Sequence, residues 1–572
     1  MTQAQATVAL IGRLGVLAAR TRDLLSDRGW DVAELRCGDD PASAPGDAAI
    51  WICFPFDPAA KRDVAQRSEQ DLRWLERALQ QGRRNGLRRL VLRSRATAYG
   101  NSFKNYGLME EERVSLLSPE GLEQRWLRAE ELVLPGGAPC EGETAACLRF
   151  SSIADAREGD FISEMFASRL ALPSAGYDPR VQFVSLDDAA GALVAAAESE
   201  STGVFNVTGE GCVEFRRALK AAVPVRVPIP GALQRPARAL LNRLGLTRAP
   251  EESVDLMQYN WTVSPERAVR ELGFQPTKTS VQALKEMLQR SGKGRPERIA
   301  DDCDDFGLDP QYLETWSFWF DFLRKVYWRV ETEGLEHIPR HGSALVTANH
   351  RGFMPFDGVM HRSAILEATG RHIRFLVIPS LFKFPFLSDF LIKQGGVVAS
   401  QLNTARVFQR GELVGIFPEG ISGAFRMYRG AYELGVFARD AFAKMAIEHQ
   451  VPVIPALVVG HVEIFPILAR MNISPLIRWT GWPFIPVTPT FPLVPIPLPS
   501  KWHIRYLEPI SPPPLTSAGI PSRRVVREFS KHVREIMQTH INEMLARRKH
   551  VFYGRIFDAD EESGRALAAS GK

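Results

Sequence analysis

Short apolar runs and amphipathic stretches take turns from Ala6 to Ser94. ATVALIG, at residues 6–12, has the length and apolarity of a buried strand. LAARTRDLLSDRG then repeats its leucines and alanines at helical spacing and stops at Gly29. WDVAELR and AAIWICF predict two further strands, LRWLERALQQGRRNG a helix, and RRLVLRS another strand. VQFVSLDDAAGALVAAAES and GVFNVTG add a strand, a helix opened by Asp187 and Asp188, and a strand. Regular βαβ alternation predicts a Rossmann-type, doubly wound parallel sheet with helices on both faces.

The pattern breaks at QRSGKGRPERIADDCDD, a charged, glycine-containing stretch. The expected organisation is a first domain at residues 1–290, a linker at 291–305, a second domain at 306–550 and a tail at 551–572. LETWSFWFDFLRKVYWRV opens the second domain as an aromatic helix, and GSALVTAN, RFLVI, GELVGIF and VPVIPALVVG predict strands with helices between them. This is a second α/β unit. Pro452 and Pro455 confine the last of these strands to a sheet edge or a strained position. RRVVREFSKHVREIMQTHINEMLARRKH predicts a long amphipathic helix near the end.

Composition adds little to this division. A chain of 572 residues is too long for one core. A net charge of +5 is far short of a nucleic-acid footprint, so no nucleic acid is expected as a partner. All six cysteines precede residue 304, none in a C-x-x-C pair, which suits free thiols in a reducing compartment. All eleven histidines lie between His337 and His550, so imidazole chemistry belongs to the second half and no metal site is expected. MTQAQATVALIGRLG lacks the pattern of a signal peptide, and seven prolines between Thr480 and Ser500 bar a spanning helix from the longest uncharged window. The expectation is a cytoplasmic protein.

In the first half, Gly12, Gly15 and Ala18 follow a strand and open a helix, a degenerate form of the glycine turn that lets a pyrophosphate approach a helix N-terminus. Arg36 ends the second strand, where it would face a 2′-phosphate or simply solvent. With RLVLRSRATAYG and GVFNVTG, residues 6–290 resemble extended short-chain dehydrogenases, the NAD-dependent epimerase/dehydratase family. The resemblance implies a Rossmann-type fold and NAD(P) as cofactor. Its Tyr-x-x-x-Lys pair is missing, however: GLEQRWLRAEELV has neither residue, and Ser94-Arg95 stands where the family writes Ser-Ser before Tyr99-Gly100. Without an evident general acid the domain is read as structural or regulatory, with residual NAD(P) binding left open.

The second half carries the stronger constellation. An apolar strand ends in Asn349-His350, with Asp357 further along. Another ends in Phe417, Pro418, Glu419 and Gly420, and VPVIPALVVG follows. In this order the three motifs resemble the lysophospholipid acyltransferase superfamily, the glycerolipid acyltransferases, over residues 310–545. The resemblance implies that His350, oriented by Asp357, acts as general base on an acceptor hydroxyl that attacks an acyl-CoA or acyl carrier protein thioester. It also implies that Phe417 to Gly420 line the acceptor pocket, with Glu419 accepting from a glycerol-like hydroxyl. The family motif is H-x4-D, whereas six residues separate His350 from Asp357, so the pair requires a wider loop shaped by Gly352 and Pro355. Arg426 and Arg429 supply cations for a phosphate-bearing acceptor, although Ile421-Ser422 replaces the Thr-Arg of phosphate-acceptor relatives.

Trp316, Phe318, Trp319, Phe320, Phe322, Tyr327 and Trp328, beside Arg324 and Lys325, suit either a membrane headgroup boundary or burial against the domain. The expected protein is thus a peripheral membrane O-acyltransferase of the acylglycerol-phosphate acyltransferase kind, fused to a degenerate Rossmann-type domain. Its partners would be an acyl thioester, a lipid acceptor and a membrane surface, with no required cofactor. Two rivals remain at this level. One is a bifunctional protein with an active NAD(P)-dependent first domain, the other a non-catalytic lipid- or nucleotide-binding protein.

Overall fold

The structure, a computed structural model, describes residues 7–557 apart from 57–63, 106, 112–123, 159, 244–250, 301–302, 438–439, 492–495 and 516–519. The start of the helix expected at 121–133 and the expected tail beyond Phe557 therefore lie outside the described residues. The chain divides into two compact units, Met1–Leu308 with Leu381–Phe390, and Asp309–Ser380 with Leu391–Lys572.

Unit 1 is built on strands β1 (Thr7–Gly12), β2 (Asp31–Arg36), β3 (Ile50–Phe54), β4 (Arg89–Arg95), β5 (Thr144–Phe150) and β6 (Gly203–Val207). They lie in the order β6-β5-β4-β3-β1-β2, and every ladder is parallel. The order reverses between β1 and β3, which is the switch point of a Rossmann-type, doubly wound sheet. Alternate residues feed opposite layers. Val8, Leu10, Ile52, Val91 and Leu148 pack with Leu17 and Leu25 of α1 (Val16–Asp27) and Leu193 of α4 (Leu186–Glu198). Ala9, Ile11, Cys53, Leu92 and Cys147 pack with Leu75 of α2 (Val64–Arg84) and Trp126 of α3 (Gln124–Val133). Part of the stretch read as a linker lies against this unit: Arg295 N–H donates to Ala221 O at 2.8 Å, and Ile299 is buried in a core cluster.

Unit 2 is built on β7 (Glu331–Glu333), β8 (Ala344–Ala348), β9 (Ile373–Val377), β10 (Val397–Val398), β11 (Leu413–Ile416), β12 (Val453–Val459) and β13 (His503–Tyr506), in the order β7-β13-β12-β8-β11-β9-β10. Five strands run parallel, while β13 is antiparallel to β12 and carries β7 with it. Of the edge or strained position expected for β12, the edge is excluded, because it pairs with β8 on one side and β13 on the other. Pro455 is accommodated by a slip, while Pro452 precedes the strand. Ala456 pairs with Tyr506 in the ladder, yet Val453 bridges Ile510, so one extra residue of the partner strand loops out beside Pro455. A bulge is where a residue without an N–H costs least.

Helix α5 (Pro310–Asp321) begins at Asp309, whose carboxylate accepts from Tyr312 N–H at 3.0 Å, with Pro310 in the first turn. Leu313 and Phe320 are buried, whereas Trp316, Phe318, Trp319 and Phe322 are 41%, 72%, 54% and 37% exposed. The aromatic segment therefore divides its rings between interior and solvent. Among the described residues no helix is long and apolar enough to cross a membrane.

Candidate active site

β8 and β11 are parallel neighbours, so the segments after their C-terminal ends emerge side by side. Asn349-His350 follows β8, and Phe417 to Gly420 follows β11. Asn349 anchors the first segment on β12. Its side chain accepts from Val458 N–H at 2.8 Å and donates to Val458 O at 3.0 Å. Both arms of the amide are spent on one strand residue, which fixes where the next residue starts.

The loop from His350 to Asp357 closes. Gly352 takes a left-handed conformation (φ +82°), helix α6 (Phe356–Thr369) begins immediately before Asp357, and the carboxylate turns back to the ring. His350 Nδ1 lies 2.5 Å from Asp357 Oδ2. Asp357 is also pinned by Gly358 N–H, which donates to Oδ1 at 2.8 Å. Its side chain is fully buried, whereas that of His350 is 16% exposed. Nε2 of His350 has no hydrogen-bond partner among the described residues. This geometry commits Nδ1 to the carboxylate and leaves the other nitrogen available, the division of labour of a carboxylate-oriented imidazole base.

The ring plane is held by stacking. His350 lies against Phe417 with centroids 4.5 Å apart, and Phe417 against Phe375 at 5.2 Å with 8° between planes. Gly415 leaves room for this stack, since a Cβ there would stand 2.5 Å from Phe375 Cε1.

Glu419 has internal partners that the sequence did not indicate. The carboxylate is buried, and each of its oxygens accepts a hydrogen bond from within the protein. Arg351 Nη1 donates to Oε2 at 2.6 Å, and Gly435 N–H to Oε1 at 2.7 Å. Arg351, itself buried, also donates to His350 O at 2.6 Å, Glu433 O at 3.0 Å and Ala431 O. Glu419 thus serves the loop that carries His350. Pro418 is buried, Gly420 opens the next short helix, Arg426 donates to Glu433 O, and Arg429 is exposed.

Sequence reasoning passed over three further groups. Arg351 was signalled by its place directly after His350, a fixed cation at the end of an apolar strand. His361, one turn along α6 from Asp357, is buried with Nδ1 2.9 Å from Tyr506 Oη, and burial holds its imidazole down at about 4. His461 approaches Asn349 Nδ2 at 3.4 Å and is held well below its usual range, first by burial and then by the charge of Arg351. Both are interior histidines that no pattern in the sequence distinguishes.

In unit 1 the expected cofactor residues gather at the end of β1. Gly12 (φ +110°) exists for closeness: a Cβ would stand 2.3 Å from Phe54 O. Gly15 precedes α1, Ala18 is buried in the core, and Arg36 pairs with Glu34 at 2.6 Å on the surface. Tyr99 is buried, donating to Asn206 Oδ1 at 2.8 Å, with Arg149 4.6 Å from its ring centre, and burial pushes its phenol up to about 12. Ser94 donates to Glu130 at 2.6 Å, and Glu130 also binds Arg149 through both oxygens. Arg95 pairs with Asp160.

Residues 329–459 match the family model described as Acyltransferase. An uncharacterized protein of Mycobacterium tuberculosis is 35% identical over 258 residues, covering 44% of this chain and 72% of the relative. One of Mycobacterium leprae is 36% identical over 260 residues, covering 44% and 70%. A second uncharacterized Mycobacterium tuberculosis protein is 27% identical over 232 residues, covering 40% of this chain and 59% of that protein. The chain thus carries an acyltransferase domain at residues 329–459 and belongs to the same family as these mycobacterial proteins. Its N-terminal half also matches solved structures of the short-chain dehydrogenase and epimerase fold. MoeE5 in complex with UDP-glucose and NAD has a TM-score of 0.38 and 18% identity, covering 50% of this chain and 99% of that one. The human epimerase family protein SDR39U1 with NADPH has a TM-score of 0.39 and 16% identity, covering 49% and 99%. The Rossmann-type assignment rests on the strand order of unit 1 rather than on these values.

Proposed function

We propose that unit 2 is an O-acyltransferase that moves a fatty acyl group from an acyl-CoA or acyl carrier protein thioester to a hydroxyl of a glycerol-type lysolipid. The observation that carries this reading is the His350–Asp357 pair at 2.5 Å with Nε2 left open. Nε2 takes the proton of the acceptor hydroxyl as its oxygen attacks the thioester carbonyl. Asp357 stabilises the imidazolium that forms. When the tetrahedral adduct collapses, the carbon–sulfur bond breaks and the imidazolium returns the proton to the departing thiolate. The products are an ester and a free thiol, with no covalent enzyme intermediate.

Arg429 is the cation we assign to a phosphate-bearing acceptor, since Arg426 is engaged with Glu433 O. The exposed rings of α5 rest at a membrane headgroup boundary, where both acyl donor and acceptor partition. The test is to incubate purified protein with labelled acyl-CoA or acyl carrier protein and a panel of lysophosphatidic acid, lysophospholipids and monoacylglycerols. Ester product in the wild type and its loss in His350→Ala supports the reading. Product formed equally by both removes it.

A further inference from the structure

The doubly wound sheet of unit 1 binds anions, if anywhere, at the N-terminus of α1, beside the switch point between β1 and β3. That position already holds an anion of the chain's own. Glu158 Oε1 accepts from Leu17 N–H at 2.6 Å, in the first turn of α1. The same oxygen lies 3.6 Å from where a Cβ on Gly15 would stand. Glu158 is 3% exposed, and its other oxygen is 3.7 Å from Arg93 Nη2, also buried. Arg93 in turn lies over the ring of Trp126, 4.9 Å from its centre. With Arg95–Asp160 and Arg149–Glu130, the cations at the ends of β4 and β5 are each matched by an internal carboxylate.

We propose that Glu158 is a built-in replacement for a dinucleotide phosphate, so that unit 1 keeps the fold of a dinucleotide-binding domain and binds no NAD(P). Residual NAD(P) binding does not fit these residues. A pyrophosphate at the α1 N-terminus would meet a fixed carboxylate, and expelling Glu158 would strand the buried Arg93. The test is titration of the full chain with NADPH, NADH and inorganic pyrophosphate, followed by fluorescence and calorimetry. The wild type should bind none of them up to millimolar concentration. Glu158→Ala should gain pyrophosphate affinity by about tenfold or more, because the helix N-terminus is vacated beside an unpaired cation. Glu158→Gln, which removes the charge but keeps the shape, serves if the alanine variant does not fold. Micromolar NADPH or NADH binding by the wild type overturns the proposal, as does a folded Glu158 variant with no gain in pyrophosphate affinity.

A different observation in unit 1 carries a second inference. A surface pocket of about 650 Å³ is lined by Arg217, Lys220, Arg226, Arg295 and Arg298, with no carboxylate among its described lining residues. Outside the lining, Glu214 lies 3.9 Å from Arg217. Beside the pocket, Val225 and Val227 are 53% and 48% exposed, and Leu170, which pairs with Val225 across a two-stranded ribbon, is 44% exposed. Concentrated positive charge next to projecting aliphatic side chains is complementary to an anionic bilayer surface. The geometry points to an anionic-lipid docking site, with a phosphate headgroup in the pocket and the aliphatics in the interface.

Co-sedimentation of the full chain with vesicles of phosphatidylcholine, alone or mixed with phosphatidylglycerol, tests it. Mixed vesicles should bind more strongly, and the double variant Arg295→Glu, Arg298→Glu should lose about tenfold or more of that preference. Binding to neutral vesicles through the aromatic face of α5 should persist in that variant, so failure here is distinct from failure of the α5 reading. An unchanged preference in the double variant overturns the proposal, as does its abolition by millimolar inorganic pyrophosphate, which would mark the pocket as a site for free phosphate.

Discussion

Arg351→Met removes the cation that ties the β11 segment to the loop carrying His350. In the native protein the Arg351 and Glu419 side chains are 2% and 1% exposed, so the pair is unscreened and the carboxylate has no route to water. Removing one partner of such a pair costs about 3–5 kcal/mol, because the other charge is left buried. The methionine keeps the aliphatic stem, so loss of packing adds little. Gly435 N–H remains as one donor to Glu419, and the carbonyls of Ala431 and Glu433 lose theirs. For a unit of this size each kcal/mol moves the melting temperature by about 2–4 °C, giving an expected fall of about 6–20 °C for the transition of unit 2. Differential scanning calorimetry reads it directly. The double variant Arg351→Met, Glu419→Leu should recover a large part of the loss, since an apolar pair of similar volume is often neutral where a half-broken ion pair is not. A single variant within about 1 kcal/mol of wild type would refute the buried-pair account, as would a double variant whose cost equals the sum of the singles.

Asp357→Asn should leave unit 2 folded and lower the acyl-transfer rate by about 10²–10⁴-fold, which steady-state assay with labelled acyl-CoA would report. Gly415→Ala should push Phe375 into the ring stack, lowering activity without touching a reacting group; near-wild-type turnover would show that the stack does not position His350. Stability of unit 2 should fall as pH drops from about 6.5 to about 4, because the unfolded chain takes up a proton that buried His361 refuses until about 4. That loss is about 3 kcal/mol and levels off below pH 4, with His461 acting in the same direction, and His361→Phe should flatten the slope in denaturant titrations. Replacing Phe318 and Trp319 by Ser should reduce binding to neutral vesicles, measured by co-sedimentation, since both rings face solvent.

The central strands of both sheets were legible as apolar runs of the right length between amphipathic helices, whereas β7, β10 and β13, respectively ETE, VV and HIRY, are too short or too polar to read as strands. β5, TAACLRF, escaped because its alanines carry no strand preference; it is a strand through its two neighbours, β4 and β6. β12 was found but its place, edge or strained, was left open, since Pro452 and Pro455 read either way unless the bulge opposite is known. At the site, Asn-His at a strand end and the order of three motifs brought His350 and Asp357 under suspicion, and a tight turn at Gly352 brings them into contact. The internal partners of Glu419 were not legible, for a local reason. A glutamate in a strand-ending turn looks outward, and the arginine that draws it inward lies 68 residues away in sequence. The aromatic run of α5 stayed ambiguous because buried Phe320 directly follows exposed Trp316, Phe318 and Trp319, and sequence cannot tell which face has a covering neighbour.

The central claim is that Nε2 of His350 takes the proton of a lipid hydroxyl as it captures the acyl carbonyl. Rapid-quench single-turnover assays with labelled acyl-CoA and a lysolipid acceptor measure that step in wild type and His350→Ala. The account predicts ester formation by the wild type, no label retained on the denatured protein, and a rate lower by about 10²–10⁴-fold in the variant. Equal rates in the two proteins, or label covalently held by the wild type, would contradict it.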